Sequence, residues 1–214
     1  MAYTEARRSR AFLWRIKSRI FATIPVMQNK HTTTVKRASG NIFLVGMMGA
    51  GKTTIGKLLA QNYGKTFVDC DEEIQRRTGV TIPHIFDVEG EAGFRQRETN
   101  AIQDLVKRDN IVLATGGGAA LSEQNRDAMC SNGVVVYLKS TPHDLWQRTR
   151  HDRNRPLLQT PDPLAKLKEL CEQRDPFYTE VADLVVTTGK QSVNNLMQQL
   201  RRELSSYWGA DRDT

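Results

Sequence analysis

"NIFLVGMMGAGKTTIGKLLA", residues 41–60, runs from a short apolar stretch through a glycine-rich turn into a helical pattern. Gly46 to Thr53 fits G-x-x-x-x-G-K-S/T, in the strand-then-helix context that this pattern requires. Gly46, Gly49 and Gly51 let backbone N–H groups turn inward, and the following helix offers its positive end to phosphate. Lys52 then reaches the β and γ phosphates, and the Thr53 hydroxyl is a direct ligand for Mg²⁺. The nucleotide-binding set is Gly49, Ala50, Gly51, Lys52, Thr53 and Thr54. No Asn-Lys-x-Asp stretch is present to read guanine, so ATP is expected over GTP.

Downstream, short apolar runs alternate with helical patterns. "IFLV" (42–45), "TFVD" (66–69), "IVLAT" (111–115), "VVVYL" (134–138) and "LVVT" (184–187) are rich in β-branched residues, as strands buried on both faces are. Thr141-Pro142 supplies a cap and a first-turn proline, and Ser122 caps a segment that closes near Asn132-Gly133. Val193, Leu196, Met197, Leu200 and Leu204 mark a final amphipathic helix. This alternation predicts an α/β protein with a parallel sheet covered on both sides. Two insertions interrupt it: a mostly helical excursion at 80–109, and the polar loop "RHDRNRPLLQTPDP" (150–163), long enough to act as a lid.

In open sheets of this kind ligands gather beyond the carboxyl ends of the strands. "DCD" (69–71) falls after the second strand and "TGGG" (115–118) after the third. Asp69 is placed to hold a Mg²⁺-bound water, and Asp71 to accept a hydrogen bond from an attacking hydroxyl. Asp71 equally fits the N-cap of a helix that ends at Gly79. Gly116, Gly117 and Gly118 permit close backbone approach to a small molecule, or form an ordinary turn.

The formal charge of +7 lies almost wholly in residues 1–40, which hold nine of the 31 Lys and Arg and one acid, Glu5. The remainder has 22 basic and 23 acidic residues, so charge gives no support for a nucleic-acid groove on the body. Within the leader, "ARRSRAFLWRIKSRIFATIP" sets Leu13, Ile16, Ile20 and Ile24 at helical spacing among arginines. It reads as a disordered extension, as an artefact of a start at Met27, or as a membrane-surface or organelle address. Its apolar runs fall short of the ~18 residues a spanning helix needs, so no stable membrane insertion is expected. Cys70, Cys130 and Cys171, and His31, His84, His143 and His151, are too scattered for a zinc or redox motif. Reduced thiols in a cytoplasmic protein are expected.

"GMMGAGKTTIGKLLA" (46–60), "DCDEEI" (69–74), "FDVEGEAGFRQRE" (86–98), "VLATGGG" (112–118), "RPLL" (155–158) and "CEQRDPFYTEVAD" (171–183) follow one another as in shikimate kinases. The chain resembles that family from residue 41 to about 205. Thr53 stands where many relatives have serine, Cys70 lies between the two aspartates, and the leader has no counterpart in the short bacterial enzymes. The resemblance implies a three-layer α/β/α P-loop kinase fold, strand order 2-3-1-4-5, in a domain spanning 41–214. It also implies transfer of the γ-phosphoryl group of ATP to the 3-hydroxyl of shikimate, a step toward chorismate and the aromatic amino acids. Asp71 would grip the hydroxyls of shikimate, Arg95 and Arg174 its carboxylate, and Gly117 its ring. Arg155, in the lid, would close onto the ATP phosphates, and Gln191 would lie beside the adenine. One Mg²⁺ per subunit and a monomeric state are expected with it. The arginines near Asp71 are expected to hold its pKa at or below the ordinary ~3.9. The rival readings are another small-metabolite kinase, such as a gluconate kinase, and a nucleotide-switched docking module worked by the leader.

Overall fold

Five parallel strands form one sheet in the order β2-β3-β1-β4-β5. They are β1 (Ile42–Val45), β2 (Thr66–Asp69), β3 (Ile111–Ala114), β4 (Val134–Lys139) and β5 (Leu184–Thr187). The computed structural model describes residues 40–152, 155–189 and 191–208. The basic leader, 1–39 of it, lies outside these, as do residues 153 and 154 of the polar loop.

The three inner strands behave as expected: every residue of β1 and β3 is buried, as is β4 up to Leu138. The outer two do not. Thr66 of β2 and Val185 and Thr187 of β5 are exposed, because an edge strand has a neighbour on one side only. β-Branched residues occur in edge and inner strands alike, so sequence alone did not separate edge from centre.

At the amino end of the sheet, buried Asn41 staples three segments. Its Oδ1 accepts the Ile111 N–H at 3.0 Å, its Nδ2 donates to the Arg108 carbonyl at 2.7 Å, and its own carbonyl accepts the Val134 N–H at 2.9 Å. Gly133 sits in this corner. A Cβ there would lie 2.6 Å from Phe43 Cε2 and 2.7 Å from the Asn41 carbonyl oxygen, and the backbone cannot give way. Gly133→Ala is therefore expected to lower stability by about 1–3 kcal/mol, seen as a fall in the urea midpoint with an unchanged m-value.

The helices are α1 (Lys52–Tyr63), α2 (Cys70–Thr78), α3 (Ile82–Leu105), α4 (Glu123–Asn132), α5 (Pro142–Thr149), α6 (Pro163–Val181) and α7 (Val193–Trp208). Ser122 caps α4 and Thr141 caps α5, as read from the sequence. The expected helical insertion is α3, but it is not one regular helix. Gly90 has φ 68° and ψ −176°, which breaks it, and Arg97 spans the break with two bonds to Glu89 at 2.7 and 2.8 Å. The polar loop contains a 3-10 turn, Pro156–Leu158.

Candidate active site

Helices α2 to α7 each have a side chain accepting a hydrogen bond at the N-cap. Helix α1 has none, and no acid in its first turn. It begins at Gly51, whose φ of 96° only glycine adopts easily, so its first N–H groups point out of the glycine loop without a protein partner of their own side chains. That is the local signature of an anion site. A cavity of about 460 Å³ opens over it, lined by Gly49, Gly51, Lys52, Thr53, Thr54, Asp69 and Arg148 among others. Lys52 Nζ donates to the carbonyls of Gly46 (2.8 Å) and Met47 (3.0 Å). Burial lowers its pKa to about 8 against the attraction of Asp71.

Thr53 Oγ1 donates to Asp69 Oδ2 at 2.9 Å. A hydroxyl and a carboxylate side by side at a phosphate loop form the oxygen-only donor set that suits Mg²⁺. Asp69 also caps α2, accepting the Asp71 N–H at 3.0 Å. The capping alternative for Asp71 is thereby ruled out: Asp69 is the cap, and the Asp71 side chain is left to point elsewhere.

It points to a second, tighter cavity of about 100 Å³. One wall is apolar: Ile82, Phe86 and Phe94, with the two phenyl rings 4.9 Å apart. The other carries Asp71, Arg95, Glu98, Arg174 and the glycines 116–118. Those glycines make room chiefly for the protein's own side chains. A Cβ on Gly116 would collide with Glu98, and one on Gly118 with the Arg95 guanidinium. Arg95 donates Nη1 to Glu98 Oε2 and Nη2 to Glu91 Oε1, both at 2.8 Å. Arg174, 4% exposed, donates Nη1 to the Gly117 carbonyl at 2.9 Å and has no carboxylate within ion-pair distance among the described residues. Among the described residues Arg174 is therefore the cavity's arginine without a direct ion pair, whereas Arg95 is held between two acids. Arg95→Lys keeps one ion pair but loses the planar fork. It is expected to raise the Michaelis constant for the acid about ten-fold, with that for ATP unchanged in steady-state assays.

Met48, Asp71, Gly117 and Arg155 line both cavities. Asp71 Oδ1 and Glu98 Oε1 are buried without a hydrogen-bond partner, which leaves two acceptors for the hydroxyls of a ligand. The Asp71 pKa is raised, not held down as its arginines had suggested. Burial is the largest cause and the Asp69 charge adds to it; together they outweigh Lys52, Arg155 and Arg95. Glu98, 1% exposed, is raised for the same first reason.

The shikimate kinase family model matches residues 48–205. The chain belongs to the shikimate kinase family. It is 58% identical to a shikimate kinase of Burkholderia lata over 164 residues, 77% of this chain and 89% of the relative. It is 55% identical to one of Nitrosospira multiformis over 184 residues, 86% and 94% of the two chains. A solved shikimate kinase from Acinetobacter baumannii in complex with shikimate superposes with a TM-score of 0.77 at 46% identity, covering 81% of this chain and 97% of that one. The strand order expected from the family likeness is the one observed.

Of the residues expected from the shikimate kinase pattern, Asp71, Arg95, Gly117, Arg174 and Arg155 come together around the tight cavity. Gly49, Gly51, Lys52, Thr53, Thr54 and Asp69 come together around the other. Ala50 is buried, its N–H bonded to the Met47 carbonyl and its own carbonyl accepting the Thr188 hydroxyl. Gln191 lines neither cavity and bonds to the Thr187 carbonyl and Gln199 beyond β5. Arg155 is held at 2.9 Å by Asp152. Sequence reading missed Glu98, Arg148, Met48 and the apolar wall. Arg148 donates to the Gly49 carbonyl at 3.0 Å. Glu98 carried a usable signal, since it lies three residues from Arg95 on a helix. Phe86 and Phe94 are eight residues apart, about 12 Å along a regular helix, and their contact depends on the break at Gly90, which spacing alone does not reveal.

Proposed function

We propose that this chain transfers the γ-phosphoryl group of ATP to the 3-hydroxyl of shikimate, releasing ADP and shikimate 3-phosphate. The observation that carries the reading is the common wall: one buried carboxylate, Asp71, and one guanidinium, Arg155, face both the phosphate loop and the acid-sized cavity.

Binding comes first. The Arg174 fork, aided by Arg95, takes the acid's carboxylate through charge-assisted bonds and so sets which hydroxyl faces Asp71. The ring lies against Ile82, Phe86 and Phe94. The triphosphate lies in the loop Gly49–Thr54, with Lys52 turning from the Gly46 and Met47 carbonyls to the phosphate oxygens. Thr53, and Asp69 through a water, would hold one Mg²⁺, which screens phosphate charge and fixes its oxygens when bound.

Asp71 then orients the 3-hydroxyl for in-line attack and accepts its proton as the new P–O bond forms and the bond to ADP breaks. No phosphoenzyme is needed. A loose transition state asks more for placement and neutralised charge than for a strong base, and Lys52 and Arg155 supply the neutralisation. Arg155 leaves Asp152 to close the polar loop, which excludes water and limits idle hydrolysis. Both cavities are lined by one chain, so a monomer suffices, and the body takes small molecules rather than nucleic acid. Among the described residues no helix is long and apolar enough to cross a membrane, and we place the enzyme in the cytoplasm.

A coupled ADP-release assay with shikimate, with gluconate and with no acceptor tests the reading. Turnover is expected with shikimate alone; equal release in the other two arms would remove it.

A further inference from the structure

Behind the wall common to the two cavities lies a buried group that lines neither of them. Tyr178 is 1% exposed, and its hydroxyl makes a short hydrogen bond to the Gly117 carbonyl. The same oxygen accepts Arg174 Nη1 at 2.9 Å, so two donors hold one carbonyl. Arg174 and Tyr178 are four residues apart on α6 and thus share a face. The hydroxyl also lies 3.5 Å from Met47 Sδ in the phosphate loop. A phenol has one proton, and a carbonyl oxygen is a far better acceptor than a thioether, so the bond goes to Gly117. The ring is fixed by Tyr137, 5.0 Å away, whose own hydroxyl donates to Asp175 at 2.8 Å.

We propose that Tyr178 is a positioning residue for the acceptor. Resting on the function above, its hydroxyl locks the Gly117 carbonyl and thereby fixes the Arg174 fork that receives the acid's carboxylate. Among the described residues Arg174 has no direct ion pair, so its hydrogen bond to this carbonyl sets the direction of its fork. The carbonyl would be free to turn if its second donor were lost. Gly117 also borders the phosphate cavity, but among the described residues Lys52, Thr53 and Asp71 make no hydrogen bond to it, so the larger effect falls on the acid.

The test is Tyr178→Phe, which keeps the ring stack and deletes the hydroxyl, beside Tyr137→Phe, which deletes the hydroxyl of the adjacent ring without touching Gly117. The Michaelis constant for shikimate is expected to rise about ten-fold in Y178F, with kcat and the constant for ATP within about two-fold of the unmodified chain. Y137F is expected to match the unmodified chain in all three. p-Aminophenylalanine incorporated at position 178 returns a donor to the same place, and is expected to recover most of the shikimate affinity. An unchanged shikimate constant in Y178F overturns the proposal, as does an equal rise for both substrates, an equal effect in Y137F, or failure of the restored donor to rescue. The unmodified chain's response to shikimate judges the function separately, since all these comparisons are ratios to it.

Discussion

Asp71→Asn is expected to bind MgATP normally and to lose roughly 10²–10³ in kcat, while melting at a higher temperature than the unmodified chain. The loss follows from geometry: the amide offers an N–H donor and a weak acceptor where a hydroxyl must deliver a proton. The gain in stability follows from burial. Asp71 has a folded-state pKa raised above its ordinary 3.8. The folded chain thus holds that proton more tightly than the unfolded chain does. Its favourable contribution is complete below the ordinary value and is lost as pH rises through the raised one, so at neutral pH the ionised group opposes folding. Asparagine removes that opposition, so Tm is expected to rise. The same shift predicts that kcat/KM for shikimate falls on acidification at a pH above the usual aspartate range. With Lys52 at about 8, kcat/KM for ATP should decline as pH rises through that value. Turnover close to normal in D71N, or a lower Tm, would show that Asp71 does not hold this place.

Arg174→Met is expected to raise the Michaelis constant for shikimate about 100-fold and to leave that for ATP unaltered, because Arg174 lines only the tighter cavity. Arg174→Lys should recover little. An ammonium is a point charge and cannot hold the Gly117 carbonyl and a carboxylate in one plane. Methionine is close in length and apolar, so the substitution removes a buried cation without opening a large hole. The effect should exceed that of Arg95→Lys, since the charge of Arg95 is already shared with Glu91 and Glu98. If both substitutions shifted ATP and shikimate alike, the separation of the two cavities would be wrong. Steady-state kinetics with each substrate varied in turn decides this.

Much of the fold is written in local pattern. The apolar runs of β1, β3 and β4, the caps Ser122 and Thr141, and the glycine loop each depend on residues close in sequence, and each lies where the pattern put it. Arg95, Arg155 and Arg174 were reached through family likeness, since singly an arginine could have been a surface charge, whereas Asp71 was also read from its place after the second strand, with an N-cap as its alternative. What local pattern did not carry is what long-range packing decides. The proton affinity of Asp71 depends on how deeply α2 is covered, and nearby arginines suggested the opposite sign. The fit of Glu98 against Gly116 joins residues 18 apart in number through the meeting of α3 with the loop after β3. The divided loyalty of Arg95 was readable, as Glu91 and Glu98 stand at helical spacing from it.

The wall common to the two cavities has a practical corollary. A bisubstrate inhibitor, made by tethering a cyclic hydroxy acid to a nucleotide through a short linker, would cross Met48, Asp71, Gly117 and Arg155 without leaving the protein surface. Its second half would bind at the high effective concentration set by that short span. Discrimination from other nucleotide enzymes would then come from the half that reaches Arg174, a buried cation with no direct ion pair among the described residues.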